Sequence, residues 1–182
     1  MSLQPIFFGA GLLTVKLSSA GEWVGATSDF TFSGANITIN DATGPAIRSN
    51  DTFPGDFSFQ FQAAGTTRSD YKRLVFGVYD VAENATFSQT AETGNMAAMT
   101  NSYFIDGDNA RTALYYGNAE QTSDTHTNDD ILKMERIGTQ LKSYLDGALV
   151  HTWSQTVNQE LRMVMSRWDA NNPIVKDLTW TF

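Results

Sequence analysis

An all-β domain is what this sequence predicts, and three observations predict it. Apolar and polar residues alternate with period 2 wherever a pattern is visible, and turns rich in Gly, Asn, Asp and Pro separate the alternating runs. No segment has the length or the 3.6-residue periodicity of an amphipathic helix, so any helix should be short. Many short strands with polar turns and no helical interludes point to a sandwich or a barrel, not to alternating strand-helix units.

The elements follow in order. Leu3 to Leu13 is apolar but interrupted by Pro5, Gly9 and Gly11, and the first Lys, Lys16, lies beyond it. Ser18-Ser19-Ala20 has a faint look of a cleavage site, yet nothing basic precedes the apolar run, so a secretory signal is not expected. A bilayer span would need roughly 20 apolar residues. Residues 1–20 are read as an early strand or a docking arm. Alternating strands follow at Asp29 to Phe32, Asn36 to Ile39 and Phe57 to Gln62, the last with three Phe on one face and Ser or Gln on the other. Leu161 to Met165 and Asp177 to Phe182 alternate in the same half-buried manner. Ile131 to Ile137 has fair helical propensity, but Leu132 and Met134 against Ile131, Lys133 and Glu135 fit a strand, and Gly138 ends it.

Turns are expected at Ser33 to Asn36, Asn40 to Pro45, Phe53 to Asp56 and Asp106-Gly107-Asp108-Asn109. Asp146-Gly147 separates Leu141 to Leu145 from Ala148 to Trp153 and predicts a hairpin, since both residues accept positive φ. The longest loops are expected at Ala82 to Thr100 and Ala119 to Asn128.

The chain of 182 residues has 41% hydrophobic and 18% charged residues, enough for one self-sufficient core across residues 1–182. Twenty acidic against twelve basic residues give a net charge of −8, with no basic cluster, which disfavours a nucleic-acid partner. The absence of cysteine excludes disulfides, thiol nucleophiles and zinc sites built on sulfur. The sequons at Asn36, Asn50 and Asn84 matter only in a glycosylating pathway.

Asp129 to Gly147 resembles the paired strands of concanavalin A-like domains, in which an Arg-Xaa-Gly turn (Arg136, Gly138) precedes a Tyr-Xaa-Asp-Gly hairpin (Tyr144, Asp146, Gly147). Gly55 to Phe61, Leu74 to Tyr79 and Lys176 to Phe182 resemble an earlier strand, the next core strand and the closing strand of that lectin, glucanase and laminin G-like group. The resemblance implies a two-sheet antiparallel jelly-roll sandwich with a concave sheet, often a sugar-binding face, and loops at one edge suited to calcium. The same sandwich serves as lectin, glucanase, adhesion module and virion component, so function must come from a site.

Laminarinase-type members carry Glu-Xaa-Asp-Xaa-Xaa-Glu, which sets nucleophile and general acid on one strand face. No such segment exists here, and Asp129, Asp130 and Glu135 lack its spacing. No Gly-Xaa-Ser-Xaa-Gly turn is present, and His126 and His151 have no partner at a telling spacing, so both read as surface residues. No catalytic residue is expected.

Calcium needs hard oxygen ligands, which Asp106 and Asp108, or Asp169 and Asn171, could supply, although Asp, Asn and Gly also simply make turns. No other cofactor is expected. For carbohydrate contacts the candidates are Trp168, Asp169 and Asn171 in an Asn-rich loop, and the adjacent Tyr115 and Tyr116. Trp180, alternating with Leu178 and Phe182, reads as core.

Two functions of different class are therefore expected. The first is a non-enzymatic structural or adhesion protein, a phage virion surface component such as a capsid decoration or fibre protein. It would form homo-oligomers or join other structural proteins, and its sandwich would contact host glycans. The second is a free carbohydrate-binding module of a bacterial or secreted protein. Either places the chain on a virion surface or outside the cell, with no membrane partner.

Overall fold

The computed structural model describes residues 14–16, 19–34, 36–40, 44–64, 74–87, 99, 101–108, 111–125, 130–167 and 174–181. Among them the strands are β1 (Thr14–Lys16), β2 (Trp23–Gly25), β3 (Phe30–Ser33), β4 (Asn36–Ile39), β5 (Ala46–Ser49), β6 (Phe57–Ala64) and β7 (Leu74–Asp80). There follow β8 (Ser102–Asp108), β9 (Arg111–Tyr116), β10 (Ala119–Thr125), β11 (Ile131–Ile137), β12 (Gln140–Leu145), β13 (Ala148–Thr152), β14 (Leu161–Arg167) and β15 (Ile174–Thr181). Helix among the described residues is confined to three single-turn 3-10 segments.

Two antiparallel sheets result. The eight-stranded sheet runs β13-β12-β11-β6-β15-β4-β3, with β1 along β15, and the seven-stranded sheet runs β10-β9-β8-β7-β14-β5-β2. The core lies between them, as the alternation requires. Phe57, Phe59 and Phe61 of β6 are buried and meet Phe76 of β7, whose ring centroid lies 4.9 Å from Phe59 and 4.4 Å from Phe61. Trp180 is buried too, edge-on to Phe53 at 4.3 Å. Each such ring stabilises the fold by about 1.5–3 kcal/mol through removal from water.

The β12–β13 hairpin turns as its Asp-Gly pair predicts: Leu145 pairs with Ala148, and Asp146 and Gly147 take φ of 49° and 79°. Asp146 also accepts a 2.9 Å hydrogen bond from the Ile131 amide, which pins the turn to β11. Ile131–Ile137 is a strand, with Leu132 and Met134 buried. At the β2 edge, Gly25 has φ 127°, and a Cβ there would stand 2.4 Å from the Ala46 carbonyl oxygen. Only glycine lets β2 approach β5 this closely.

Three expectations are corrected. Asp106-Gly107-Asp108 belongs to β8, because β8–β9 pairing continues to Asp108 opposite Arg111. Ala119–Thr125, expected as loop, is β10; it lacks apolar alternation because it is an edge strand, whose residues need not bury a face. Leu161 to Met165 is not half-buried: β7 and β14 are buried on both faces. The cause is a second apolar layer on the outside of the seven-stranded sheet, in which Phe87 and Met99 cover Val75, Tyr79 and Val164. Of residues 1–20, β1 pairs Thr14, Val15 and Lys16 with Thr181, Trp180 and Thr179, while residues 1–13 lie outside the described residues.

Candidate functional site: the outer face of the seven-stranded sheet

The two outward faces differ in chemistry. On the eight-stranded sheet, β11 turns Ile131, Lys133, Glu135 and Ile137 outward. Lys133 Nζ lies 2.6 Å from Glu135 Oε1, the Tyr144 hydroxyl donates to Glu135 Oε2 at 2.8 Å, and the Lys133 ammonium sits 4.9 Å above the Tyr144 ring. Burial raises the Glu135 pKa, but the hydrogen bonds from Lys133 and Tyr144 outweigh it and leave the carboxyl below its ordinary value. These groups satisfy one another.

The seven-stranded sheet is built otherwise. Cross-strand partners share a face, so register lays one row across the outside: Glu120, Tyr115, position 104, Gly77, Val164, Arg48 and Val24. A neighbouring row sets Ser102, Tyr79 and Arg162 side by side. Gly77 contributes no side chain to the middle of the first row.

Tyr79 is the anchor. Its ring stacks on Phe87 with centroids 6.2 Å apart and planes 6° from parallel, and its hydroxyl donates to Asn84 Oδ1 at 2.8 Å. Asn84 is placed by the 3-10 turn Val81–Glu83, which Asp80 caps by accepting from the Ala82 amide at 2.9 Å. Glu83 holds the returning chain by accepting from the Asn101 amide at 2.9 Å. Burial pushes the Tyr79 phenol up to about 12, against the pull of Arg48 and Arg162, so it stays a neutral donor near pH 7.

Two guanidinium groups flank this anchor. Arg48 lies over the Phe87 ring at 5.6 Å, a cation-π contact. Arg162 donates through Nη1 to the Ser49 carbonyl at 2.7 Å and to the Asn50 carbonyl. The Nε atoms of both are buried without a hydrogen-bond partner. At the far end the Tyr115 hydroxyl donates to Glu120 Oε2 at 3.3 Å.

Of the residues singled out in the sequence, Tyr115 reaches this face. Tyr116, its neighbour, points the other way, packing on Tyr103 at 5.0 Å and donating to Asn101 Oδ1 at 3.0 Å. Strand alternation thus separates the pair. Asp106 occupies an outer-face position opposite Val75, and Asp108 follows it on the same face, but their side chains lie outside the described part. Trp168, Asp169, Asn171 and His126 also lie outside the described residues. Among the described residues no three His, Cys, Asp or Glu side chains converge as a metal site would need. His151 is half-buried rather than on the surface, 5.1 Å from Trp153, and desolvation lowers its pKa.

Two clefts elsewhere are less suited to a ligand. One of about 550 Å³ is bounded by Asp51 to Asp56 and Trp180, but Thr52 is bonded to Glu160 and Asp56 to the Gly138 amide. The other, about 220 Å³, lies beside Thr139, Gln140 and residues 152–156 and carries no charged side chain.

The residues the sequence did not reveal are Arg48, Arg162, Tyr79, Asn84 and Phe87. They come from separate strands and a turn, and only register brings them together.

No protein-family model matches the sequence, and no curated protein matches it. Solved structures do match. A Bacillus subtilis protein of unknown function with a galectin-like fold superposes with a TM-score of 0.66 at 11% identity, covering 93% of this chain and 94% of its own. The carbohydrate-binding module CBM66 from Bacillus subtilis gives 0.59 at 16% identity, covering 88% and 96%. A Bacillus licheniformis β-glucanase gives 0.54 at 11% identity, covering 95% and 98%. A carbohydrate-binding module, a protein of unknown function and a glucanase thus share one architecture with this chain, which has the jelly-roll sandwich fold of the concanavalin A-like lectins and glucanases.

Proposed function

We propose that this protein binds carbohydrate without transforming it, through the outer face of the seven-stranded sheet. The observation that carries the reading is the contrast between the faces: on the eight-stranded sheet Lys133, Glu135 and Tyr144 are bonded to one another, whereas beside Tyr79 two half-buried arginines have no carboxylate partner among the described residues. Support for binding rather than hydrolysis comes from the missing Glu-Xaa-Asp-Xaa-Xaa-Glu strand.

The setting proposed for this activity is a larger assembly, a phage virion surface, whose copies dock through residues 1–13. What favours it is the apolar run Leu3 to Leu13 in the sequence, directly ahead of β1. A free binding module is the alternative setting.

A glycan screen on the purified chain tests the activity, with light scattering on the same sample. Binding to at least one glycan class is expected, weakened about tenfold by Tyr115→Ala, together with a discrete oligomer that deletion of residues 1–13 converts to monomer. A screen with no binding defeats the carbohydrate reading. Binding by a strict monomer defeats the assembly setting and leaves the free module.

A further inference from the structure

We propose that the ligand is an anionic saccharide, with its carboxylate or sulfate held between Arg48 and Arg162. This rests on the reading of the outer sheet face as a glycan site and specifies the chemistry of that ligand. The chain has only twelve basic residues against twenty acidic ones, so acidic partners for a guanidinium are plentiful. Two of the twelve nevertheless stand on adjacent strands of one face without one among the described residues. Arg48 is opposite Val164 in the β5–β14 pairing, and Arg162 is two residues along β14, which makes them diagonal neighbours. Both act on the buried Tyr79 hydroxyl.

Neither is paired with a carboxylate among the described residues. Arg48 rests on the Phe87 ring, and Arg162 uses one nitrogen for the backbone carbonyls of Ser49 and Asn50. Both Nε atoms lack partners, and both side chains are half-buried, so water compensates them incompletely. A guanidinium presents a planar fork of donors that matches the oxygens of a carboxylate or a sulfate. The Phe87 ring beneath Arg48 and the carbonyl anchors of Arg162 hold the two forks in place before any ligand arrives, which lowers the ordering cost of binding.

The row is also polar end to end. Glu120 on β10 and Arg48 on β5 are five strand spacings apart, roughly 24 Å at about 4.8 Å each. An acidic sugar would therefore sit with its charge at the arginine end and its neutral part over the Phe87 and Met99 layer that covers Val164, its hydroxyls toward Tyr115 and Glu120. The same polarity argues against a polyanion bearing charge along its whole length.

The experiment is calorimetric titration of the full chain with a neutral oligosaccharide ending in a single uronic acid, with the methyl ester of the same compound, and with a neutral disaccharide bearing a single sulfate and no carboxylate. At least one charged probe should bind about tenfold or more tighter than the neutral ester, and its affinity should fall as salt is raised. The charged probe that binds tells carboxylate from sulfate. Arg48→Gln should lose roughly tenfold for that probe and leave the ester unchanged. Arg162→Gln should do the same, and if loss of its carbonyl bonds prevents folding, Arg48→Gln decides alone. Arg48→Lys should restore part of the affinity. Equal affinity for charged and neutral probes, with binding still sensitive to Tyr115→Ala, overturns the anionic assignment and leaves the glycan face standing. Binding of either probe that ignores Tyr115→Ala and both arginine variants overturns the face itself, and the assignment with it.

Discussion

Replacing Phe76 with alanine should destabilise the fold by about 3–5 kcal/mol. Phe76 is fully buried in β7, at the middle of the seven-stranded sheet, and it touches the opposite sheet through two rings of one strand, Phe59 and Phe61. Alanine would remove the ring that fills the space between the sheets. The cavity cannot close easily, because β7 is held by β8 on one side and β14 on the other. Urea unfolding reads the effect as a fall in midpoint at unchanged slope. A loss below about 1 kcal/mol would mean that the rings do not bridge the sheets as described.

Arg136→Met should cost about 2–4 kcal/mol for a different reason. Arg136 lies on the inward side of β11, 5% exposed, and donates through Nε to the Gly138 carbonyl at 3.0 Å and through Nη1 to the Gln159 carbonyl at 2.7 Å. It ties the β11–β12 turn to the chain entering β14. Desolvation lowers its pKa and Asp56 raises it, the first effect being larger, yet its ordinary value is so high that the charge persists at any pH of interest. Methionine can fill the volume but leaves two carbonyl groups without donors. A buried arginine replaced by an apolar residue is sometimes neutral, so an unchanged urea midpoint would show that the two carbonyls find other partners.

What the sequence made legible is local. Phe57, Phe59 and Phe61 announce their face by period 2, Asp146-Gly147 announces its hairpin by turn chemistry, and Trp180 announces its burial by alternating with Leu178. Each signal is contained within a few residues. What stayed hidden depends on residues far apart in the chain. β10 has no apolar alternation because an edge strand needs none, and Asp106 to Asp108 look like a turn until their pairing with β9 is known. The outer burial of Val75, Tyr79 and Val164 comes from Phe87 and Met99, which no periodicity connects to them.

The candidate site shows the same limit. Tyr115 was visible as an aromatic beside polar groups. Arg48 carried no signal, because Ala46-Ile47-Arg48-Ser49 becomes part of a binding face only when β5 is set beside β14 and β14 beside β7. The fold class therefore followed from the sequence, while the arginine pair required the sheet order.

The central claim, that the outer face of the seven-stranded sheet is where carbohydrate binds, is tested most directly by mapping amide and side-chain NMR shifts during titration with a glycan found in the screen. The account expects the largest shifts at Arg48, Arg162, Tyr115 and Glu120, with Lys133, Glu135 and Tyr144 on the opposite sheet unmoved. Shifts concentrated on Lys133, Glu135 and Tyr144, or in the cleft beside Trp153 and Gln155, would contradict it.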